Sequence, residues 1–436
     1  MSGLTRREVL TASAGGAVTL LGAVGLSSAG TVNDQVQVAV IGVGGMGHGH
    51  VRRLLKRKDV RIACVCDVDQ HHVSRAVESV KSATGRAPET VEDFRRVLDN
   101  KAIDAVVIAT PHHWHCPIAV PALVAGKDVY LEKPGSHVFR EGRLLVEAVK
   151  RSGRILQHGT QMRSSDVTAK AGEVLSSGLL GEIKMSKAWN CQKHSPRRGV
   201  PNGTAPASVN YDMWLGPAPR RQFNSNRFHG NWNWYRDYGN GDIGGDGVHD
   251  IDMARWGLGV TTHPVRITAH GSRITLKGER EFPDNMTVAF HYAEGKVLLY
   301  EDRGWTPYGP HGFDSGNAFY GTKGMMVFSR RGYFQVYLGR ELEKGPGMRG
   351  NTGHPQHIYN FIDCVKSRQQ PIAPAPVAHL SCGLVHLGEV AYRSGRVLRF
   401  DPKSETVLGD KEADGLLGKS YRAPWQIAGV KSVSMR

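Results

Sequence analysis

Residues 239–256 read GNGDIGGDGVHDIDMARW, with five glycines, four aspartates and one histidine in eighteen residues. Three chemistries suit such a stretch. If it continues as a helix, His249 and Asp252 stand three apart and are neighbours on its surface. A histidine held by a carboxylate is a good general base near neutral pH. A metal site is the second reading, because Asp242, Asp246, His249, Asp250 and Asp252 crowd together. One helix cannot aim all of them at one ion, however, so His249 with Asp246 or Asp252 would supply two ligands and other segments the rest. The third reading, a phosphate cradle, suffers because the aspartates repel phosphate. No metal is expected here, nor at His112, His113 and His115, where no further ligand follows at a suitable spacing. Lys133, in LEKPG, follows a predicted strand and precedes a proline. A lysine there can hydrogen-bond a reacting oxygen and stabilise negative charge developing on it; it would equally suit an exposed strand-exit loop.

These groups need something to act with, and QVQVAVIGVGGMGHGHVRRLL offers it. Val36 to Ile41 is an apolar, β-branched run that predicts a buried strand. It feeds Gly42, Gly44 and Gly47 and then a helix from about Met46 to Arg57. The glycines suit a tight turn, close backbone approach to a pyrophosphate, and close helix–strand packing. The helix N-terminus offers free N–H groups to the phosphates. A second apolar strand, VRIACVCDVD, ends in Asp67, placed to accept hydrogen bonds from ribose hydroxyls. Asp67 would repel a ribose phosphate, so NAD is expected over NADP.

The alternation continues through IDAVVIAT (103–110), a loop PHHWH, a helix over 117–126, and the strand and exit KDVYLEKPG. Strand–helix–strand at this pace predicts a parallel sheet with helices on both faces, binding ligands at the strands' carboxyl ends. Beyond it, GEIKMSKAWNCQ, PVRITAHGSRI, NMTVAFHYAEGKVLLYEDR and GMMVFSRRGYFQVYLG alternate as sheet strands do, with GTKG (321–324) as a hairpin turn. Residues 211–242 form an aromatic, polar insertion. In it Trp232, Trp234, Tyr235 and Tyr238 offer apolar platforms for a sugar face, with Arg227, His229, Arg236 and Asp237 for its hydroxyls; loop packing is the competing reading. HPQHIYNFIDCVKSR predicts a helix burying Ile358, Phe361, Ile362 and Val365, and LVHLGEVAYRSG a second one closed by Gly395.

In that order, IGVGGMG, CDVD, ATPHHWH, AGKDVYLEKP and GDGVHDIDMARW resemble the Gfo/Idh/MocA oxidoreductases over nearly all of the chain after residue 35. The resemblance implies a Rossmann domain (35–157) and a C-terminal α+β domain (158–425) whose open, mainly antiparallel sheet covers the active site and mediates homo-oligomerisation, as a dimer or tetramer. It implies hydride transfer between NAD and a hydroxyl-bearing carbon of a sugar, cyclitol or sugar derivative, with the cofactor held tightly in some exported members. The alternative is the family's NAD-dependent glycoside hydrolases. By the same resemblance Lys133 and His249 are catalytic, and Met46, Thr110, Pro111, His115 and Glu132 join Gly42, Gly44, Gly47 and Asp67 around the cofactor. Pro134 fixes the turn after Lys133, where a cis bond is expected. Gln161, Arg163, Trp234, Tyr235, Arg236, Asp246 and Asp252 are the expected substrate contacts. Many relatives carry an aspartate four residues before the histidine; here that place is Gly245. One residue turns a helix by roughly 100°, so Asp246 is not expected to replace it.

The bulk properties agree with an enzyme. The formal charge of +16 is scattered over 436 residues, and no segment interleaves basic with aromatic residues as a nucleic-acid surface would. The six cysteines show no CxxC or zinc spacing and predict buried free thiols. At the N-terminus, Thr5-Arg6-Arg7 precedes a weakly apolar Gly/Ala-rich stretch ending near Ala29. This predicts a Tat export signal (1–29), a periplasmic or extracytoplasmic location and dealings with the Tat machinery, with no membrane span in the mature protein.

Overall fold

The computed structural model describes residues 35–427, apart from 197, 276 and 277. The predicted signal (1–29) lies outside the described residues. The first half holds strands β1 (Val36–Ile41), β2 (Val60–Cys66), β3 (Glu89–Val91), β4 (Ala105–Ile108), β5 (Asp128–Leu131) and β6 (Leu156–His158). They form one sheet in the order β3-β2-β1-β4-β5-β6, parallel throughout. That is the doubly wound Rossmann order, reversing between β1 and β4, where the crevice opens. Every side chain of β1, β4 and β5 is buried, because helices cover both faces; this is why these strands read as continuous apolar runs. The helices between the strands are α1 (Gly45–Leu54), α2 (Gln70–Thr84), α3 (Phe94–Asp99), α4 (His112–Val124) and α5 (Phe139–Ser152).

The expected loop 111–115 is different: His112–His115 form the first turn of α4, with Pro111 at the N-cap and Pro117 and Pro121 inside the helix. Pro117 and Pro121 disguise the pattern, because a proline inside a helix removes an i→i−4 hydrogen bond and is disfavoured there, whereas Pro111 at the N-cap has no such bond to lose.

The second half holds α6 (Asp166–Ser176), β7 (Ile183–Cys191), α7 (Tyr211–Leu215), α8 (Gly241–Gly245) and α9 (Gly247–Leu258). Strands β8 (Arg266–Ser272), β9 (Asn285–His291), β10 (Val297–Arg303), β11 (Ser315–Gly321), β12 (Gly324–Ser329), β13 (Tyr333–Leu338) and β14 (Glu343–Arg349) follow. Then come α10 (His354–Ser367), α11 (Ala375–Ser394), β15 (Leu398–Asp401), β16 (Thr406–Val407) and α12 (Lys411–Gly415). The sheet runs β14-β13-β12-β11-β7-β10-β9-β8-β15-β16 and is antiparallel except for the β7–β10 pair. Helix α9 is buried on both sides: Val248, Ile251, Ala254 and Leu258 pack into the core formed with α11 and β8–β10, and Met253 and Trp256 against β11–β13. From the far end of the chain, α10 returns to the Rossmann half, where Ile358, Phe361, Ile362 and Val365 join the core beneath β1, β2 and β4. All six cysteines are free and buried. No helix of the described residues is long and apolar enough to cross a membrane.

Candidate active site

The carboxyl ends of β1, β2, β4 and β5 open into a cavity of about 350 Å³, within the range of small-molecule sites. Gly42, at φ +81°, leaves no room for a side chain: its Cβ would lie 2.8 Å from the Ala109 carbonyl. A Cβ on Gly47 would lie 1.7 Å from the Gly42 oxygen, so helix and turn touch backbone to backbone. Gly44, Gly45 and Met46 line the cavity at the start of α1, where the first helical N–H groups await an anion. Asp67 stands at the tip of β2. It accepts from Val43 N–H at 2.8 Å and Asp69 N–H at 3.0 Å, and its two oxygens retain lone pairs for ribose hydroxyls. Thr110 and Pro111 line the same wall, and the buried Thr110 hydroxyl has no partner among the described residues. Glycine turn, helix start, acidic strand tip and unpartnered hydroxyl together fit a dinucleotide.

His115 and Glu132 line the cavity as well, but both are committed to the protein. His115 sets Nε2 2.8 Å from the Thr110 carbonyl and Nδ1 2.6 Å from that of Pro134. It thereby braces the turn whose Lys133–Pro134 bond is cis. Burial would raise the Glu132 carboxyl, but His50, 2.7 Å away, holds it down to about 2. His112 and His113 turn to Asn240 and to the Trp214 carbonyl.

The insertion roofs the cavity. Residues 208–210, which lead into it, bond to the chain after β2, Gln70 N–H to the Ser208 carbonyl at 3.0 Å and Asn210 N–H to the Val68 carbonyl at 2.9 Å. His229 contacts Asp69 at 2.8 Å, and Met213, Trp214 and Trp232 line the cavity from above. Of the four aromatic residues, Trp232 faces the cavity, its ring edge-on to His112. Trp234, Tyr235 and Tyr238 are instead the insertion's own core, packed with Trp214, Phe228 and Phe282. The guanidinium of Arg236 lies over Phe282 and 3.5 Å from Glu389, and Asp237 pairs with Arg221 at 2.7 Å. Period alone does not separate an aromatic run that packs from one that binds.

Lys133 meets the chain where α8 joins α9. Lys133 Nζ donates to the Gly245 carbonyl and lies 4.0 Å from an Asp246 oxygen. Helical spacing argues against Asp246 as a replacement for the carboxylate absent at 245, but Asp246 is the joint between two helices, at φ −111° and ψ −38°. The 100°-per-residue reckoning assumes one unbroken helix and fails at this joint. The other Asp246 oxygen accepts from the Gln192 amide and lies 3.5 Å from Arg330. Lys133 and Arg330 hold the carboxyl well below its usual range, against burial that would raise it. At Gly245 a Cβ would lie 2.6 Å from the Asn233 amide nitrogen, so Asn233 fills the space that a side chain at 245 would need.

His249 is 4% exposed. Burial, then Lys133 and Arg330, push its imidazole well below the ordinary value, with Asp246 opposing. At neutral pH it is an uncharged base with a lone pair to offer.

Asp252 is not the partner of His249. It is fully buried and takes Arg163 bidentately at 2.7 and 2.8 Å and the Ser381 hydroxyl at 2.6 Å. Spacing put the two residues on neighbouring turns, but α9 is buried all round, so each faces a different neighbour. Arg163 is thereby spent on Asp252, and Gln161 faces His354 at 3.0 Å. Three further groups escaped the sequence reading: Gln192 just after β7, Arg330 in the β12–β13 turn, and His194, 2.8 Å from Asp242. No local motif marks them, because their partners are 48 to 84 residues away in sequence.

Residues 36–160 match the model of an oxidoreductase family described as an NAD-binding Rossmann fold, and residues 172–316 and 341–427 match that family's C-terminal alpha/beta domain. Among curated proteins, a glycosyl hydrolase family 109 protein of Stenotrophomonas maltophilia (strain K279a) is 29% identical over 229 residues, 50% of this chain and 49% of that protein. An inositol 2-dehydrogenase of Arthrobacter sp. (strain FB24) is 31% identical over 199 residues, 45% of this chain and 55% of that one. The chain thus spans about half the length of the curated relatives it matches. Among solved structures, a levoglucosan dehydrogenase in complex with NADH and levoglucosan superposes with a TM-score of 0.64 at 19% identity, covering 84% of this chain and 99% of that one. The aldose-aldose oxidoreductase of Caulobacter crescentus gives 0.65 at 18%, covering 84% and 100%. These likenesses show the fold.

Proposed function

The chain belongs to the Gfo/Idh/MocA oxidoreductase family, and from that premise we propose that it moves hydride between NAD and a hydroxyl-bearing carbon of a sugar, cyclitol or sugar derivative. One observation carries the reading: Lys133 and Asp246 meet beside the nucleotide cavity, next to a buried His249 kept neutral by its surroundings. When bound, NAD supplies the hydride acceptor or donor. His249 accepts the proton of the substrate hydroxyl, since its depressed basicity leaves the lone pair free at neutral pH. Lys133 donates a hydrogen bond to the same oxygen and stabilises charge developing there. Asp246 orients the lysine, with Gln192 and Arg330 holding the carboxylate from behind. Trp232 offers an apolar face beside the cavity.

The similar Stenotrophomonas protein, named for a glycosyl hydrolase family, favours a second reading: redox-neutral glycoside cleavage at the same site. The same base and lysine would serve it. The roof formed by residues 208–232 supports a tightly held cofactor. The Arg6-Arg7 start supports Tat export to the periplasm, where a retained cofactor is needed because free NAD is not recycled there. The broad open sheet supports a homo-oligomer.

The test incubates purified protein with unconjugated sugars, cyclitols and aryl glycosides, with and without added NAD, and follows absorbance at the NADH band and products. NADH formed from a free sugar or cyclitol supports the dehydrogenase. Glycoside cleavage without net NADH sinks it in favour of the hydrolase. No turnover in either arm, with NAD bound, overturns both.

A further inference from the structure

A second cluster of ligating side chains lies away from this cavity, where the loop after α9, helix α11 and the β15–β16 turn meet beside α5. His263 comes from the loop, His379 from α11 and Glu405 from the turn. The two Nε2 atoms are 3.4 Å apart, and a single Glu405 oxygen lies 2.8 Å from His379 and 3.5 Å from His263. In a tetrahedral site with metal–ligand bonds of about 2.0–2.2 Å, ligand atoms stand roughly 3.3 Å apart. The three atoms therefore already form one face of such a tetrahedron. We propose that His263, His379 and Glu405 bind a divalent transition-metal ion, zinc by preference, at a site separate from the active site.

The surroundings are shaped for two imidazoles. A Cβ on Gly142 would lie 2.4 Å from His379 Nδ1, and one on Gly383 would lie 2.5 Å from His263 Cε1. Phe139 packs against both rings, at centroid distances of 5.0 and 5.1 Å. Both histidines are at most 4% exposed. Glu405 adopts φ +54°, a conformation few non-glycine residues take, and in it the carboxylate faces the histidine pair. Arg143 forks onto both carboxylate oxygens, at 3.0 Å through Nε. It supplies the outer hydrogen bonds that ligating carboxylates carry, and each oxygen keeps a further lone pair for a metal. At 3.4 Å the two ring nitrogens stand at the separation that two ligands of one ion take. An ion with affinity for imidazole and carboxylate fits that spacing while tying α11, the final turn and α5 together.

The experiment uses full-length, tag-free protein stripped with a chelator and titrated with Zn²⁺ by calorimetry. One equivalent is expected to bind and to raise Tm. Glu405→Gln and His263→Asn should each weaken binding by at least about 100-fold, more than the loss of an outer partner. His229→Asn, in the Asp69–His72–His229 group above the nucleotide cavity, should leave it unchanged. Wild-type crystals soaked in Zn²⁺ should show an anomalous peak within bonding distance of the three side chains, a readout that stands if a variant fails to fold. Absence of Zn²⁺ uptake by the wild type, binding indifferent to Glu405→Gln, or a peak elsewhere overturns the proposal.

Discussion

Asp252→Asn separates a structural carboxylate from a catalytic one. In the folded chain Asp252 is fully buried, and Arg163, 9% exposed at its side chain, is its bidentate partner. Burial would raise its pKa, but Arg163, Arg255 and Ser381 bring it to about 2, against 3.8 for a free side chain. That depression corresponds to about 2 kcal/mol of stability at neutral pH. Because the folded value is the lower one, the contribution is complete above pH ~4 and is lost as pH falls from ~4 through ~2. The substitution would also leave the Arg163 guanidinium buried beside an uncharged amide, and breaking a buried pair from one side costs about 3–5 kcal/mol. With an unfolding entropy of about 0.8 kcal/mol/K for a chain of this length, Tm at pH 7 should fall by about 4–6 °C. Thermal scans from pH 2 to 7 are the assay, with kcat measured at 20 °C, well below either transition. The wild type should lose more stability than the variant between pH 4 and 2, and kcat should change less than about threefold. An unchanged Tm with kcat down 100-fold would refute this reasoning and return Asp252 to His249.

His249→Gln and Lys133→Met should each lower kcat by about 10²–10⁴-fold with Tm within a few degrees; full activity in both refutes the site assignment. Asp246→Asn should reduce kcat/KM by at least about tenfold, because Lys133 loses the carboxylate 4.0 Å away; unchanged kinetics would make Asp246 a bystander. Gly42→Ala should abolish NAD retention, measured by releasing bound nucleotide from denatured protein, since its Cβ would meet the Ala109 carbonyl at φ +81°. Burial raises the Asp250 carboxyl to about 8, so wild-type stability should decline as pH rises from ~4 through ~8. Asp250→Asn, which cannot ionise, should melt higher than the wild type at pH 9, and an equal or lower Tm there would contradict the buried neutral acid.

Much of the chain could be read without coordinates, because local patterns carry it. The buried parallel strands are continuous Val/Ile runs, the nucleotide turn needs glycine where backbones touch, and an acidic residue ends β2. The amphipathic face of α10 named its own core residues. What stayed illegible was nonlocal. Pairing by spacing joined His249 to Asp252, yet a helix buried on every side gives each residue a different neighbour, and Arg163 claimed the carboxylate. Gly245 read as a missing partner, but the helix breaks at the next residue and brings Asp246 to Lys133. Trp234 and Tyr235 could bind or pack, and the fold of the insertion decided that they pack. The sequence by itself determined the architecture and the nucleotide end, since each rests on short-range pattern, while Lys133 and His249 were singled out by the family resemblance. Tertiary structure alone decided which carboxylate meets which cation, because a buried charge settles by the partners that surround it in space.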